Sequence, residues 1–286
     1  VPAVKFGQMV GYDRMADYLE KNGITTLVRE GASNDLNPAA LSLGSLTYGV
    51  SPVEMASAYG TFGNKGFHVN WKSYTKVVDN QGNVILDNEE ADGERVFSEQ
   101  ANYIMTDLLS DVVQNYAQEA IIGWGHPGIG KTGTTGYRKQ NTDAWFCGVT
   151  PNISTSIWVG TDRNISLTEG SWYVAQFWGR IMRDYHADLE PSSFPEMPEG
   201  VEWRTVVERS GKLPAAGFSF GLRSELFIVG TAPTEVDDSY ITFTVCKKSG
   251  LTPTKYCKET EERTFFKIRN TTTGKDEYFD EQGNLF

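Results

Sequence analysis

A chain of 286 residues with 39% hydrophobic and 22% charged side chains can form one large domain, or one domain and a small appendage, with a sizeable core. Its net charge of −11 argues against nucleic acid as a partner, because phosphate binding needs a basic face. No apolar run approaches the roughly 20 residues needed to span a bilayer, and the abrupt start VPAVKFG suggests a piece of something longer.

Residues 13–22, DRMADYLEKN, predict a helix stopped by Gly23, a residue suited to the left-handed position after a helix. Ser51-Pro52-Val53-Glu54 is a stronger start signal: a capping serine, a proline in the first turn and a glutamate that completes a capping box. Val53, Ala56, Tyr59 and Gly60 share one face of that helix, which ends near Gly63 and Gly66. KSYTKVV and NVILD flank Asp79-Asn80-Gln81-Gly82 and predict a hairpin. Ser98 opens SEQANYIMTDLLSDVV, in which Ala101, Ile104, Met105, Leu108, Leu109 and Val112 follow the three-four spacing of one buried face.

Residues 143–150 and 153–160 are rich in aromatic and β-branched side chains. Only Pro151-Asn152 separates them, so they should pair antiparallel. Trp145 and Trp158 then fall on sheet faces. A last helix over 171–186 places Val174, Phe177, Trp178, Ile181 and Met182 inward, with Trp172 also packing on the sheet. Beyond Leu189 come three prolines, Pro191, Pro195 and Pro198, and then the short strand-like runs GVEWRTVVE, SELFIVG, YITFTVC and RTFFKIR. The fold class is therefore α+β: an antiparallel sheet flanked by helices over 1–190, and a small β-rich extension over 191–286.

Cys147, in AWFCGV, reads as a buried core thiol. Cys246 and Cys257 flank ten residues that contain glycine and proline, a loop that a disulfide can close; a metal site would need more ligands than this neighbourhood offers. His68, His126 and His186 are scattered and read as surface or loop residues. No metal-ligand spacing is visible, and nothing calls for a cofactor.

The stretch GHPGIGKTGTT at 125–135 fits two motifs. Gly125 through Thr132 match the phosphate-binding pattern G-x-x-x-x-G-K-[ST], which would make the protein a nucleotide hydrolase. That pattern needs a buried parallel strand before it and a helix after it. The preceding QNYAQEAIIGW has only a short apolar centre, and the following GTTGYRKQNTD is a poor helix former. Lys131-Thr132-Gly133 also spells the Lys-Thr-Gly motif of serine acyltransferases, which lies on an edge strand of an antiparallel sheet. The flanks favour this second pattern. Tyr137, Arg138 and Lys139 would form a polar loop after it.

Five stretches in this order carry a family resemblance: VPAVK at the start, YGVSPVEMASAYGTFGNKG at 48–66, GKTGTT at 130–135, TDAWFCGVTP at 142–151 and SELFIVGTAPTE at 224–235. The chain resembles the C-terminal part of the D,D-transpeptidase domain of class A (bifunctional) penicillin-binding proteins, and thereby the penicillin-binding/serine β-lactamase-like fold. The resemblance implies a serine D-Ala-D-Ala transpeptidase that cross-links peptidoglycan stem peptides through an acyl-enzyme and is acylated by β-lactams. It also implies the extracytoplasmic face of a bacterial cell membrane. The family's Ser-x-x-Lys nucleophile motif and Ser-x-Asn motif are expected upstream of Val1, together with a glycosyltransferase domain and a membrane anchor. A 286-residue fragment without them is expected to be inactive.

Ser73-Tyr74-Thr75-Lys76 imitates Ser-x-x-Lys, but it falls in the hairpin, where positions i and i+3 face opposite sides. By the resemblance, Lys131, Thr132, Gly133 and Thr134 bind the substrate, with Lys131 and Thr134 the catalytic pair: Lys131 supplies positive charge, the threonine hydroxyls bind a carboxylate, Gly133 admits the substrate backbone, and the Thr134 N–H serves an oxyanion hole. A domain that binds β-lactams as a sensor without turnover is the competing reading.

Overall fold

Ser51 starts the best-specified helix of the chain. Its hydroxyl accepts the Glu54 N–H and the Glu54 carboxylate reaches back to the Ser51 N–H, a complete capping box that opens α3 (Pro52–Gly63). Two shorter helices precede it, α1 (Pro2–Val10) and α2 (Tyr12–Lys21). Between α2 and α3 the only regular piece is a π-helical turn, Pro38–Ser42. Two buried carboxylates organise that stretch instead. Asp35 accepts the Val28 and Thr47 N–H groups at 2.9 and 2.8 Å, and Glu54 accepts both the N–H and the hydroxyl of Thr25. Irregular backbone under cover must place its polar groups somewhere, and here it places them on acidic side chains.

In the computed structural model the residues described are 2–117, 125–137, 140–163, 165–216, 218, 221–270, 272–280 and 285–286. The chain divides into two units, Val1–Glu199 and Gly200–Phe286.

Four short strands follow α3: β1 (Phe67–Val69), β2 (Lys76–Val78), β3 (Val84–Asp87) and β4 (Gly93–Arg95). β2 and β3 form the expected hairpin. Ser73 precedes β2 in irregular backbone, so only Lys76 of the imitation motif lies in a strand. There Lys76 pairs with Glu89 at 2.6 Å.

Helix α4 (Glu99–Tyr116) is capped by Ser98, as its sequence predicts, but it presents a different face. Asn102, Leu109 and Val113 are buried, while Ala101, Met105 and Leu108 are exposed. The amide of Asn102 donates to the Phe62 carbonyl at the end of α3 at 2.8 Å. That bond turns a polar residue inward and rotates its apolar neighbours out. α3 also departs from its apolar reading: its buried residues are Glu54 and Thr61, and Val53 is exposed.

The sheet of the first unit is the antiparallel meander β5 (Ile129–Tyr137), β6 (Gln140–Val149) and β7 (Ser154–Gly160). α5 (Ser171–Tyr185) covers one face. Its Trp178 is fully buried against Phe146 and fills the space that a side chain at Gly148 would need. Val174, Ala175 and Met182 join it, with Val113, Ala117 and Ala144. The Trp178 indole N–H donates to Thr155 at 2.7 Å, satisfying its one polar atom. α3 covers the other face, where Gly60 and Gly63 let it approach Ser154 and Val149 closely. Trp172, Phe177 and Ile181 of α5 do not pack inward as expected; they lie off the face that meets the sheet and remain exposed.

The three histidines are 2%, 5% and 2% exposed at positions 68, 126 and 186, and the surface expectation for them fails. Each is taken in because it has a polar partner. His68 Nδ1 meets the Thr61 hydroxyl. His186 Nδ1 donates to the Met182 carbonyl, so its Nε2 accepts from Thr150. His126 meets Ser192, and its ring lies 4.6 Å from that of His186.

In the second unit, β8 (Val201–Val207) and β9 (Leu222–Ile228) form a hairpin, and β10 (Tyr240–Cys246), β11 (Thr260–Arg269) and β12 (Asp276–Phe279) a meander. Phe243, Phe265, Tyr278 and Phe286 cluster on that sheet.

Candidate active site

β5 carries GKTGTT as a continuous strand in register with β6: Lys131 lies opposite Cys147, Thr132 opposite Phe146, Gly133 opposite Trp145 and Thr134 opposite Ala144. No helix begins at Lys131 or Thr132, which removes the phosphate-loop reading. Residues 118–124 and 138–139, which include parts of the stretches flanking the motif and the polar loop of Arg138 and Lys139, lie outside the described residues; Tyr137 is the last residue of β5.

The period of two divides the motif between the two faces of the sheet. Thr132 and Thr134 share the face of Phe146 and Ala144, which α5 covers. Lys131 and Gly133 share the face of Cys147 and Trp145. β5 is also an edge: among the described residues its only strand partner is β6.

Lys131 therefore starts from the face opposite the threonines, yet its ammonium returns to the strand. Nζ donates to the Thr132 carbonyl at 3.1 Å and lies 3.4 Å from the Thr132 hydroxyl. Among the described residues Lys131 forms no ion pair. Its cross-strand neighbour Cys147 offers no anion. Burial pushes that thiol up to about 11, against a smaller opposing effect of its Ser156 hydrogen bond.

Thr134 donates its hydroxyl to Ser171, the first residue of α5, at 3.0 Å. Sequence reasoning did not find Ser171; its one local signal is that it opens the last helix, and the contact spans 37 residues. The glycines of the motif are set by packing. A Cβ at Gly130 would stand 2.6 Å from the Phe146 ring and 2.8 Å from the Cys147 carbonyl, and one at Gly133 would stand 3.1 Å from the Trp145 Cβ. Trp145 in turn lies beside Trp158, ring centres 6.2 Å apart, and the Trp158 N–H donates to Asp143 at 3.0 Å. A pocket of about 620 Å³ lies elsewhere, between Lys65, Asn102, Tyr103 and Phe194; Lys131 and the two threonines do not line it.

Among the described residues the arrangement is an ammonium without an ion pair and two hydroxyls along a strand edge with no second strand, suited to holding a carboxylate at the end of an extended chain.

Known proteins are similar to this one along most of the chain. The profile of the "Penicillin binding protein transpeptidase domain" matches residues 1–170, and that of the "Penicillin-binding protein 1A, C-terminal domain" matches residues 197–242. Penicillin-binding protein 1A of Clostridium botulinum is 36% identical over 265 residues, which cover 90% of this chain and 31% of the relative. Penicillin-binding protein 1F of Bacillus subtilis is 34% identical over 216 residues, covering 72% and 29% respectively. The chain thus spans about a third of the length of these relatives. Among solved structures, penicillin-binding protein 1A of Haemophilus influenzae superposes with a TM-score of 0.63 at 22% identity, over 82% of this chain and 39% of that one. PonA1 of Mycobacterium tuberculosis in complex with penicillin V superposes with a TM-score of 0.57 at 23% identity, over 66% and 56%. The shared fold is that of penicillin-binding proteins.

Proposed function

The chain belongs to the penicillin-binding protein transpeptidase family, and from that premise we propose that it is the C-terminal part of a class A D,D-transpeptidase that cross-links peptidoglycan stem peptides. In this reading a serine from an upstream Ser-x-x-Lys motif attacks the D-Ala-D-Ala peptide carbonyl. The peptide bond breaks, D-Ala leaves with a proton on its nitrogen, and an ester to the serine remains. An amine of a second stem peptide then attacks the ester, forms the cross-link and returns a proton to the serine. β-Lactams acylate the same serine by opening their ring, which leaves no departing group.

The observation that carries the proposal is the Lys131 ammonium, without an ion pair among the described residues, beside the Thr132 hydroxyl on the edge of β5. The free carboxylate of the terminal D-Ala is its natural counter-ion, and Thr132 and Thr134 supply neutral donors on one face. A strand residue turns its N–H and C=O to the same side. The Thr132 carbonyl that takes the ammonium therefore supports an edge-facing N–H at Thr132 and, two residues on, at Thr134. The Thr134 N–H is the oxyanion donor of this reading. No cofactor is needed. The described part contains no helix long and apolar enough to cross a membrane; the anchor, the glycosyltransferase domain and the extracytoplasmic setting are assigned to the larger protein.

The test compares the 286-residue chain with the longer protein containing it. Fluorescent penicillin should label the longer protein covalently at an upstream serine and leave the 286-residue chain unlabelled after denaturation. The longer protein should also convert stem peptides to cross-linked dimers. Label on Ser73 would relocate the nucleophile; labelling without dimers or D-Ala release would favour the sensor.

A further inference from the structure

The second unit holds a pair of thiols that the transpeptidase chemistry does not use. Cys246 is the last residue of β10 and pairs with Thr260, the first of β11. Cys257 lies three residues before Thr260 on the returning chain, so the 13 residues between these strands fold back and carry Cys257 toward the end of β10 that holds Cys246. The loop is built, not slack. The Cys246 N–H donates to the Leu251 carbonyl at 2.8 Å, and the Gly250 N–H donates to the Cys246 carbonyl at 2.7 Å. The Cys257 N–H donates to Thr254 at 3.0 Å, and the Thr254 N–H points at the Cys257 sulfur at 3.4 Å. Lys247 meets Glu259 at its base through both a backbone bond and an ion pair.

We propose that Cys246 and Cys257 are a redox site, a dithiol that closes to a disulfide by exchange with an external small-molecule or protein disulfide and so fixes the loop between β10 and β11.

The two sulfurs have different surroundings. Cys246 is buried and Cys257 is half-exposed. A hydrogen bond from the Cys257 thiol, then the Ser249 hydroxyl and the Ser249 and Lys248 N–H groups, pull the Cys246 thiol down to about 7. Donors converging on one sulfur stabilise its thiolate, the nucleophilic form. The order of events follows from access. An external disulfide RSSR meets Cys257 first; the Cys257 sulfur loses its proton, attacks one sulfur of RSSR and expels RS⁻, leaving a mixed disulfide on Cys257. The Cys246 sulfur, which keeps its Ser249 and Lys248 donors, then loses its proton, attacks the Cys257 sulfur and expels the second RS⁻. Each RS⁻ takes up one proton. The balance is one protein dithiol plus RSSR giving one protein disulfide plus two RSH. Cys147 takes no part: it is buried in the other unit with its thiol held protonated.

The ring so closed holds three lysines, Lys247, Lys248 and Lys255, and Tyr256, which is 80% exposed. Trypsin can reach such a loop while it is open and has far less chance once its ends are tied. The test uses the folded 286-residue chain in buffers of oxidised and reduced glutathione. Peptide mapping without reduction should find Cys246 joined to Cys257, with Cys147 free, and trypsin cleavage in the loop should slow at least tenfold on oxidation. Cys246→Ser should accumulate glutathione on Cys257, since the resolving thiolate is gone. In the reduced chain, Cys246 alkylation should rise with a midpoint near pH 7. Mixed glutathione adducts on both cysteines of the wild-type chain without an internal bond would overturn the proposal, as would loop cleavage at an unchanged rate once the bond had formed. Neither result bears on the acyl transfer at β5.

Discussion

Gly133 lies directly opposite Trp145, so close that a Cβ on the glycine would stand 3.1 Å from the Cβ of the tryptophan. The residue that would admit a substrate backbone thus also sits in a tight contact with Trp145. Gly133→Ala should crowd that contact and destabilise the first unit by about 1–3 kcal/mol. A thermal melt beside wild type reads this out. An unchanged melt with slowed β-lactam acylation in the longer protein would assign the glycine to the substrate alone.

Thr134→Val in the longer protein should keep the fold, because the lost bond to Ser171 is an exposed one. It should slow acylation by fluorescent penicillin roughly tenfold to a hundredfold, the worth of one hydrogen bond to a charged group. Ser171→Ala leaves the threonine hydroxyl in place and should cost far less. Equal effects of the two substitutions would mean that the Thr134–Ser171 bond, and not a bond to the substrate, is what acylation needs.

Glu54 ties Thr25 to the start of α3. Burial alone would raise its carboxyl, but hydrogen bonds from Thr25 and Ser51 outweigh this and bring it from 4.5 down to about 2. A carboxylate depressed on folding contributes stability above its unfolded value and loses it as pH falls toward the folded one. Glu54→Gln should therefore cost about 2–3 kcal/mol at neutral pH. The gap to wild type in urea unfolding should shrink as pH falls from 4.5 toward 2. A gap independent of pH would show that the charge is not what holds the segment.

His186 is held below the ordinary histidine range, chiefly by burial, against the pull of its bond to Met182 and with a further push from His126. An imidazole kept neutral by folding makes the native state bind fewer protons than the unfolded chain once pH drops below 6.5, so stability falls there. His126→Gln removes the electrostatic push of that ring on His186. It should raise the His186 titration midpoint, as followed by NMR of the ring protons, and soften the loss of stability in acid. A midpoint that stays put would remove His126 from the account.

The parts of the fold written in neighbouring residues were legible. Ser51 and Glu54 are three apart, and their capping box forms as the sequence predicts. The antiparallel strands around Pro151-Asn152 form too, because a turn-length link leaves few other solutions. What escaped depends on distant partners. The face of α4 is turned by a bond from Asn102 to Phe62, 40 residues away. His126 and His186 meet Ser192 and Thr150, 66 and 36 residues away, while His68 is met by Thr61 from the preceding helix. For the site, the sequence placed Lys131 and the threonines on one strand, whose period of two already sets Lys131 and Thr132 on opposite faces; what it did not disclose is that the ammonium bends back over Thr132.

An edge that can receive one extended chain is open to every extended chain, including a second copy of the same strand. Among the described residues no second strand pairs with that side of β5, and Lys131 to Gly136 along it are exposed or half-buried. Its composition works against self-templating: Gly130, Gly133 and Gly136 give a neighbouring strand little side-chain surface to grip, and an edge lysine such as Lys131 disfavours the pairing of two copies. The ammonium that would select an anionic chain end thereby also guards solubility. Replacing Lys131 with a neutral residue removes a gatekeeper, and loss of activity in such a variant has to be separated from aggregation before it is read as chemistry.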